Sequence, residues 1–427
     1  MEKALVKKIS EVVDNKREKE IGFLRELIHF PTVVGSSYLE IQEYIAEKLS
    51  KMRLTVDKWC PDIQELREYK WWTVPETYYP GGFDDKPVVV GTYKGQGKGR
   101  SLILNGHVEV VTPEPLNLWK HDPWVAEIED GKLYGRGAID CKGGLAASIF
   151  ALECLQEIGV EIGGDVIIES VYDEEIGGTG TDATILRGYR ADGAITTEPS
   201  KMNITIAHVG VMWFRVTVEG KSAHAAFLWQ GINAIEKALP VHKALCSFGK
   251  DRMKNVRHRI FEADYPIHAT FNPGTFSAGG YPSSVPDKAV LEYRIGLVPG
   301  ENNETLFRKI QKIVKETSAR DAWLSEHPPK VELFGWYGKP TYISKNHPLA
   351  QSVANSYKEI SGRPPHYNGI TACGDIWRLQ HLAHCPSLTF GCNGDGIHQN
   401  DEYVVIKDYL NLIKILALTI LHWCGYK

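Results

Sequence analysis

No CxxC pair occurs among the eight cysteines of the chain (60, 141, 154, 246, 373, 385, 392 and 424). Several fall inside predicted helices or strands, so they read as free buried thiols of a reducing cytoplasm rather than a disulfide framework. There is no charge excess: a net charge of −4 gives no electrostatic case for nucleic acid or for an anionic membrane. No apolar run is long enough to span a bilayer. The longest, residues 410–423, is interrupted by Asn411 and Lys414 and fits an amphipathic C-terminal helix. The opening stretch MEKALVKKISEVVDNKREKE is charged throughout and lacks an apolar h-region, so no signal peptide is expected and the reading is cytoplasmic. Internal repeats and low-complexity segments are missing too. What remains is the composition of a soluble globular protein, 43% hydrophobic and 24% charged. With 427 residues it is too long for one core, so about two domains are expected.

Apolar periodicity predicts a helical region over 3–29, stopped by Pro31, and a second helix over 38–52. Residues 61–86 are aromatic and rich in proline and glycine (Trp71, Trp72, Tyr78, Tyr79, Pro80). They read as a surface excursion packed on itself, or as a segment that shapes substrate access. Strands follow at 88–93 and 101–105, then an apolar helix at 143–158 and a β-branched run at 165–171. That run suits a central parallel strand buried on both faces. After Pro199 the pattern changes to alternating strands (211–218, 269–276, 289–298, 330–337) with helices at 231–245 and 303–317. The order βαββαβ is that of a compact ferredoxin-like α+β unit. The α/β pattern then resumes, with helices at 349–360 and 405–423 and a strand at 385–390. The expected architecture is a discontinuous, mostly parallel α/β domain (1–207 and 339–427) interrupted by an inserted α+β lid domain (208–338).

The stretch from Leu102 to Glu198 organises the chain. LILNGHVE ends on His107 and Glu109, LYGRGAIDCKGG carries Asp140, VIIESVYDEEIGG carries Asp173, Glu174 and Glu175, and GAITTEP carries Glu198. His398 lies in GCNGDGIHQNDE, after the strand at 385–390. In open α/β sheets ligands bind outside the carboxyl ends of the strands, so these residues should share one rim. One or two imidazoles among several carboxylates suit a borderline-to-hard divalent cation. Each alone has a plain alternative. The His-x-Glu pair could lie on the surface, and Asp140 could cap a helix. Three adjacent carboxylates at a buried strand end are harder to dismiss, because they repel unless a cation neutralises them. A water between two cations is acidified towards neutral pH, and Glu174 stands where it can take its proton and pass it to a leaving amine. Glu109 is suited to accept the second N–H of the His107 ring.

The motifs GHVEVV, GRGAIDCKGG, DEEIGGTGT, TTEP, GKSAHAAFLWQGINAI and GDGIHQNDE, in this order, closely resemble one family. It is the acetylornithine deacetylase, succinyl-diaminopimelate desuccinylase, aminoacylase and carboxypeptidase G family of dinuclear zinc hydrolases. The resemblance runs from about residue 20 to the C-terminus. It implies that Asp140 bridges two divalent ions, that His107 and Glu198 complete one and Glu175 and His398 the other, and that Glu174 is the general base. It implies a cis peptide at Asp140-Cys141. In the lid it implies that His224 supports the oxyanion, that Asn272 and Arg294 meet the substrate, Arg294 through a carboxylate, and that the lid forms a homodimer in which His224 enters the partner's site. Without the resemblance, Arg294 reads as a surface strand residue and His224 as a turn histidine. Gly374, in TACGD, belongs to the same expected substrate-binding set. Glu109 stands where the family usually has Asp, and would act through His107.

The expected activity is therefore metal-dependent hydrolysis of a linear amide. The first reading is deacylation of an N-acyl amino acid or a related small carboxylate, and Glu198 rather than Asp resembles the deacylase branch. An exo-dipeptidase or carboxypeptidase, or an aminohydrolase releasing ammonia, is the alternative on the same scaffold. A non-catalytic binding module would have lost metal ligands, and all ligand types are present. Zinc is the expected ion, with cobalt or manganese as substitutes.

Overall fold

A computed structural model describes residues 2–427 apart from Pro75 and Pro80. The chain divides into two compact units, one of Met1–Ile206, Tyr342–Asn368 and Gly374–Lys427, the other of Ala207–Thr341 and Gly369–Cys373.

The first unit is built on a nine-stranded sheet. Six of its strands run side by side in the order Thr55–Trp59, Val88–Tyr93, Val166–Val171, Leu102–His107, Gly193–Thr196 and Ser387–Thr389. The last four pair in parallel, and the first two run antiparallel to their neighbours. The sheet is thus mixed rather than mostly parallel: the parallel arrangement is confined to the centre, where the strands feed crossover helices. Both Leu102–His107 and Val166–Val171 are buried along their whole length, as their continuous apolar character requires. Their carboxyl ends, with that of Gly193–Thr196, open on one rim.

Helix Lys142–Glu157 is buried on almost every side. It approaches the end of the Gly193–Thr196 strand so closely that a Cβ on Gly144 would lie 1.9 Å from the Thr197 carbonyl oxygen. Glycine is required there. The closing helix Ile406–Cys424 is buried over most of its length. The N-terminal helical pattern is two helices, Lys3–Asn15 and Arg17–His29, with Lys16 out of helical geometry between them. Asp14 and Asn15 just before the break are poor helix formers, because their side chains compete for backbone groups.

The aromatic excursion has contacts of its own, with Tyr79 and Phe83 centroids 4.7 Å apart. It is nevertheless not a separate small core. Trp72 donates its ring N–H to Thr179 (3.1 Å), Trp71 meets Trp377 edge-on at 6.0 Å, and Phe83 stacks on Tyr172 at 6.5 Å. Its large rings thus pack on the residues that follow the Val166–Val171 strand and on the helix Ile376–His381. Pro80 of this segment lies outside the described residues.

The second unit has a four-stranded antiparallel sheet in the order Phe271–Ala278, Lys288–Leu297, Gly210–Glu219, Lys330–Gly338. Alternation decides its faces. Met212, Phe214, Val216 and Val218 turn to one side, where they pack with Val241 and Leu245 of helix Ala234–Asn255 and Leu306 and Ile310 of helix Asn303–Ser318. Phe271–Ala278 is an edge strand, and residues 272–277 on it are exposed. Among the described residues no helix is long and apolar enough to cross a membrane.

Candidate metal centre

His107 is the last residue of its strand, and Glu198 follows Gly193–Thr196 by two residues. Glu174 and Glu175 open the turn after Val166–Val171, and Asp140 ends an irregular glycine-containing loop just before helix Lys142–Glu157. His398 comes from the loop beyond Ser387–Thr389 and holds φ at +59°. The rim therefore gathers residues from five separate segments.

Their side chains divide into two groups around Asp140. Its Oδ1 lies 3.2 Å from His107 Nε2, which is 3.4 Å from Glu198 Oε1. Its Oδ2 lies 3.4 Å from His398 Nε2, which is 2.7 Å from Glu175 Oε1. One carboxylate thus faces one imidazole–carboxylate pair with each oxygen. Donor atoms of His107, Asp140 and Glu175 fall within 4.8 Å of one another, as do those of His107, Cys141 and Glu198. The set fits two divalent cations: it offers nitrogen and oxygen donors and concentrated negative charge, and every donor side chain except that of His398 is largely shielded from solvent. Cys141 is the odd donor. Its thiol faces the Thr197 carbonyl at 3.6 Å, and burial pushes its pKa well up, which keeps it neutral. The Asp140-Cys141 peptide is cis.

Burial opposes ionisation of Asp140, but hydrogen bonds with His107 and His398 hold its carboxyl well below the usual carboxylate range, whereas its neighbours are shifted upward. Hydrogen bonds to Asp140 and Glu175 raise the His398 pKa to about 10. Burial, and then the neighbouring carboxylates of Glu198 and Glu175, push Glu174 well up. Burial raises Glu198 to about 7 against the pull of His107. Protons held in this way are the ones cations displace on binding.

Around this shell, Glu109 does more than orient one ring. His107 Nδ1 lies 3.0 Å from the Glu109 carbonyl oxygen and 3.3 Å from its carboxylate Oε2. The other carboxylate oxygen accepts the Glu175 N–H at 3.2 Å. One buried residue therefore ties a candidate ligand of the first group, hydrogen-bonded through its backbone carbonyl and within ion-pair distance of its carboxylate, to a candidate ligand of the second. Glu109→Ala should weaken metal binding about 10-fold or more, read by titrating the metal-free protein. Glu109→Asp, one methylene shorter, should have a milder effect, because it can keep only part of this span. Equal affinities in Glu109→Ala and the wild type would remove the assignment.

Asp173 corrects the reading of three converging carboxylates. It adopts φ +67° at the strand end, so its side chain turns inward, where it accepts from the Tyr38 hydroxyl (3.4 Å). Burial, then the Glu109 charge, raises its pKa to about 7. Only Glu174 and Glu175 face the cluster. Gly374 sits against the first of them: a Cβ there would lie 2.5 Å from Glu174 Oε1. Asp375 accepts from Thr181 and, with Asp182 and the Gly177 carbonyl, holds the guanidinium of Arg378. That buried network fixes the turn carrying Glu174 and Glu175. Sequence reasoning passed over Arg378 and Glu402, although Glu402 closes the same GDGIHQNDE motif as His398.

His224, Asn272 and Arg294 belong to the second unit. His224 is exposed and its Nδ1 accepts from the Ala226 N–H at 3.1 Å. Asn272 and Arg294 are register partners on adjacent strands, and Arg294 donates to Thr270 at 2.7 Å.

The N-formyl-4-amino-5-aminomethyl-2-methylpyrimidine deformylase of Bacillus subtilis (strain 168) is 28% identical over 97% of this chain and 97% of its own length. Among solved structures, an M20 family metallo-carboxypeptidase from Sulfolobus solfataricus superposes with a TM-score of 0.73 at 18% identity, covering 95% of this chain and 99% of that one. A dinuclear metal-binding M20 peptidase from Bacillus subtilis gives 0.66 at 14% identity, covering 96% and 99%. Residues 103–422 match the family model Peptidase_M20, described as peptidase family M20/M25/M40. The chain belongs to that family and is a metal-dependent amide hydrolase.

Proposed function

We propose that the protein removes a small acyl group from the nitrogen of a small amine by hydrolysing a linear amide bond. The observation that carries the reading is Glu174 standing free of both donor pairs yet beside them, with Glu175 and Glu198 as its charged neighbours. Two divalent ions, zinc first and cobalt or manganese as substitutes, would be held by His107, Asp140 and Glu198 and by Asp140, Glu175 and His398. When bound they acidify a water and polarise the amide carbonyl.

The chain's own residues supply the rest. Glu174 takes a proton from the attacking water and delivers it to the leaving nitrogen. Its pKa, pushed up by burial and like charge, suits it to hold that proton in transit. Glu109 keeps the His107 ring oriented. His224 donates a hydrogen bond to the developing oxyanion, from a partner subunit bound through the lid domain (208–338). The catalytic domain is then 1–207 with 339–427, and the protein is a cytoplasmic homodimer. Arg294 would anchor a substrate carboxylate with bidentate geometry, and Asn272 and Gly374 belong to the same proposed substrate-binding set.

On this reading the substrate is an N-acyl amino acid or a related small carboxylate. A second reading, an N-formyl aminomethylpyrimidine, is favoured by the deformylase relative that matches over nearly the whole chain. The metal-free protein should be inactive and regain activity with zinc, cobalt or manganese. The reconstituted enzyme should then be assayed against N-formyl, N-acetyl and N-succinyl amino acids, N-formyl aminomethylpyrimidines, dipeptides and ammonia-releasing amides. Full activity without metal would sink the mechanism. Turnover of dipeptides alone would replace deacylation by peptidase action, and ammonia release by aminohydrolase action.

A further inference from the structure

Residues 135–140, which lead into Asp140, form neither strand nor helix. Their peptide N–H groups are buried and need acceptors. Those of Gly135, Gly137, Ile139 and Asp140 all go to one residue. Glu402 Oε1 accepts from the N–H groups of Ile139 (3.1 Å) and Asp140 (3.2 Å). Its Oε2 accepts from the N–H of Gly137 (3.1 Å) and from Arg136 Nη1 (2.6 Å). Its backbone carbonyl accepts from the N–H of Gly135 at 2.9 Å. The N–H groups of Arg136 and Ala138 turn elsewhere, to the Pro123 carbonyl at 2.9 Å and the Gly135 carbonyl at 3.1 Å.

Glu402 is 1% exposed and stands four residues beyond His398 in the same loop. The loop that presents Asp140 is therefore wrapped around a side chain of the loop that presents His398, although the two segments lie 262 positions apart in sequence. A carboxylate suits this position because it accepts at both ends. An amide would turn an NH₂ group towards donors. The Arg136 guanidinium, 5.1 Å over the Trp119 ring, balances the charge.

We propose that Glu402 is a positioning residue for the metal centre: by gathering the peptide N–H groups of Gly135, Gly137, Ile139 and Asp140 it sets Asp140 close to His398, and so governs the affinity for the cation these two share. Outer groups that orient ligands typically change metal affinity 10- to 100-fold when removed. The inference rests on the reading of Asp140 and His398 as ligands.

The test is metal titration, not activity. Wild type, Glu402→Gln, Glu402→Asp and His398→Ala are stripped by chelation, then titrated with Zn²⁺ by calorimetry and with Co²⁺ by visible absorption. Far-UV circular dichroism and thermal melts are recorded alongside. Wild type should take up two ions, and His398→Ala should lose one. Glu402→Gln should keep its far-UV spectrum, bind one of the two ions about 10-fold or more weakly and show a changed Co²⁺ spectrum. Glu402→Asp, which keeps two acceptor ends, should recover part of that loss. A Glu402→Gln protein with a lowered Tm but wild-type Zn²⁺ affinity and Co²⁺ spectrum would overturn the proposal, since Glu402 would then serve the fold alone. If Glu402→Gln does not fold, Glu402→Asp is judged by the same criterion. Wild type taking up no metal would remove the ligand reading and this proposal together, whereas two ions in wild type with unchanged variants would remove this proposal only.

Discussion

Glu174→Gln is expected to keep its fold and both metal ions while losing about 10²-fold or more in kcat. The substitution is nearly isosteric and leaves His107, Asp140, Glu175, Glu198 and His398 untouched. It removes only the capacity to accept a proton from water and pass it to the leaving nitrogen. Gly374→Ala tests the same group from outside. The added methyl would lie 2.5 Å from Glu174 Oε1 and must push the carboxylate aside. That variant should also lose mainly kcat, and a Glu174→Gln background should make it silent, because the displaced group no longer carries protons. Metal analysis and steady-state kinetics on the three proteins check both. If Glu174→Gln raised KM and left kcat unchanged, Glu174 would be a binding group instead.

The gathering of the candidate donor residues was legible because topology brings them together. Parallel strands end on a common rim, so the apolar runs before His107, Glu175 and Glu198 already implied that these residues meet. Asp173 was misread for a local reason. Neighbouring side chains at a strand end point in opposite directions, and the left-handed backbone at Asp173 turns its carboxylate inward to Tyr38. The span of Glu109 from the His107 ring to the Glu175 N–H depends on two turns meeting at hydrogen-bond distance, which no sequence spacing encodes. Glu402 and Arg378 were missed similarly: each answers backbone or carboxylate groups from distant segments. The antiparallel edge of the sheet was hidden as well, since a short alternating strand does not announce its direction. The lid was readable in outline from its two-residue period, and its helix ran on to Asn255 despite an internal Pro240.

Mixing two inactive proteins should restore activity if His224 works in a partner's site. Glu174→Gln and His224→Ala homodimers should each be nearly inactive, the first lacking proton transfer and the second an oxyanion donor. A mixed dimer has one site that combines an intact Glu174 with the intact His224 of its partner. Statistical exchange at equal amounts should therefore recover about a quarter of the wild-type activity. Three features of the second unit favour this arrangement. His224 is exposed, with only a local hydrogen bond at Nδ1. Beside it Phe227, Leu228 and Trp229 are 50, 65 and 72% exposed, an apolar display that invites cover by another chain. The edge strand Phe271–Ala278 also leaves backbone groups free to pair across a two-fold axis. Exchange is followed independently with differently tagged subunits. If tagged mixed dimers form and the activity stays at the level of the separate variants, His224 serves its own subunit or only caps its turn through the Ala226 N–H.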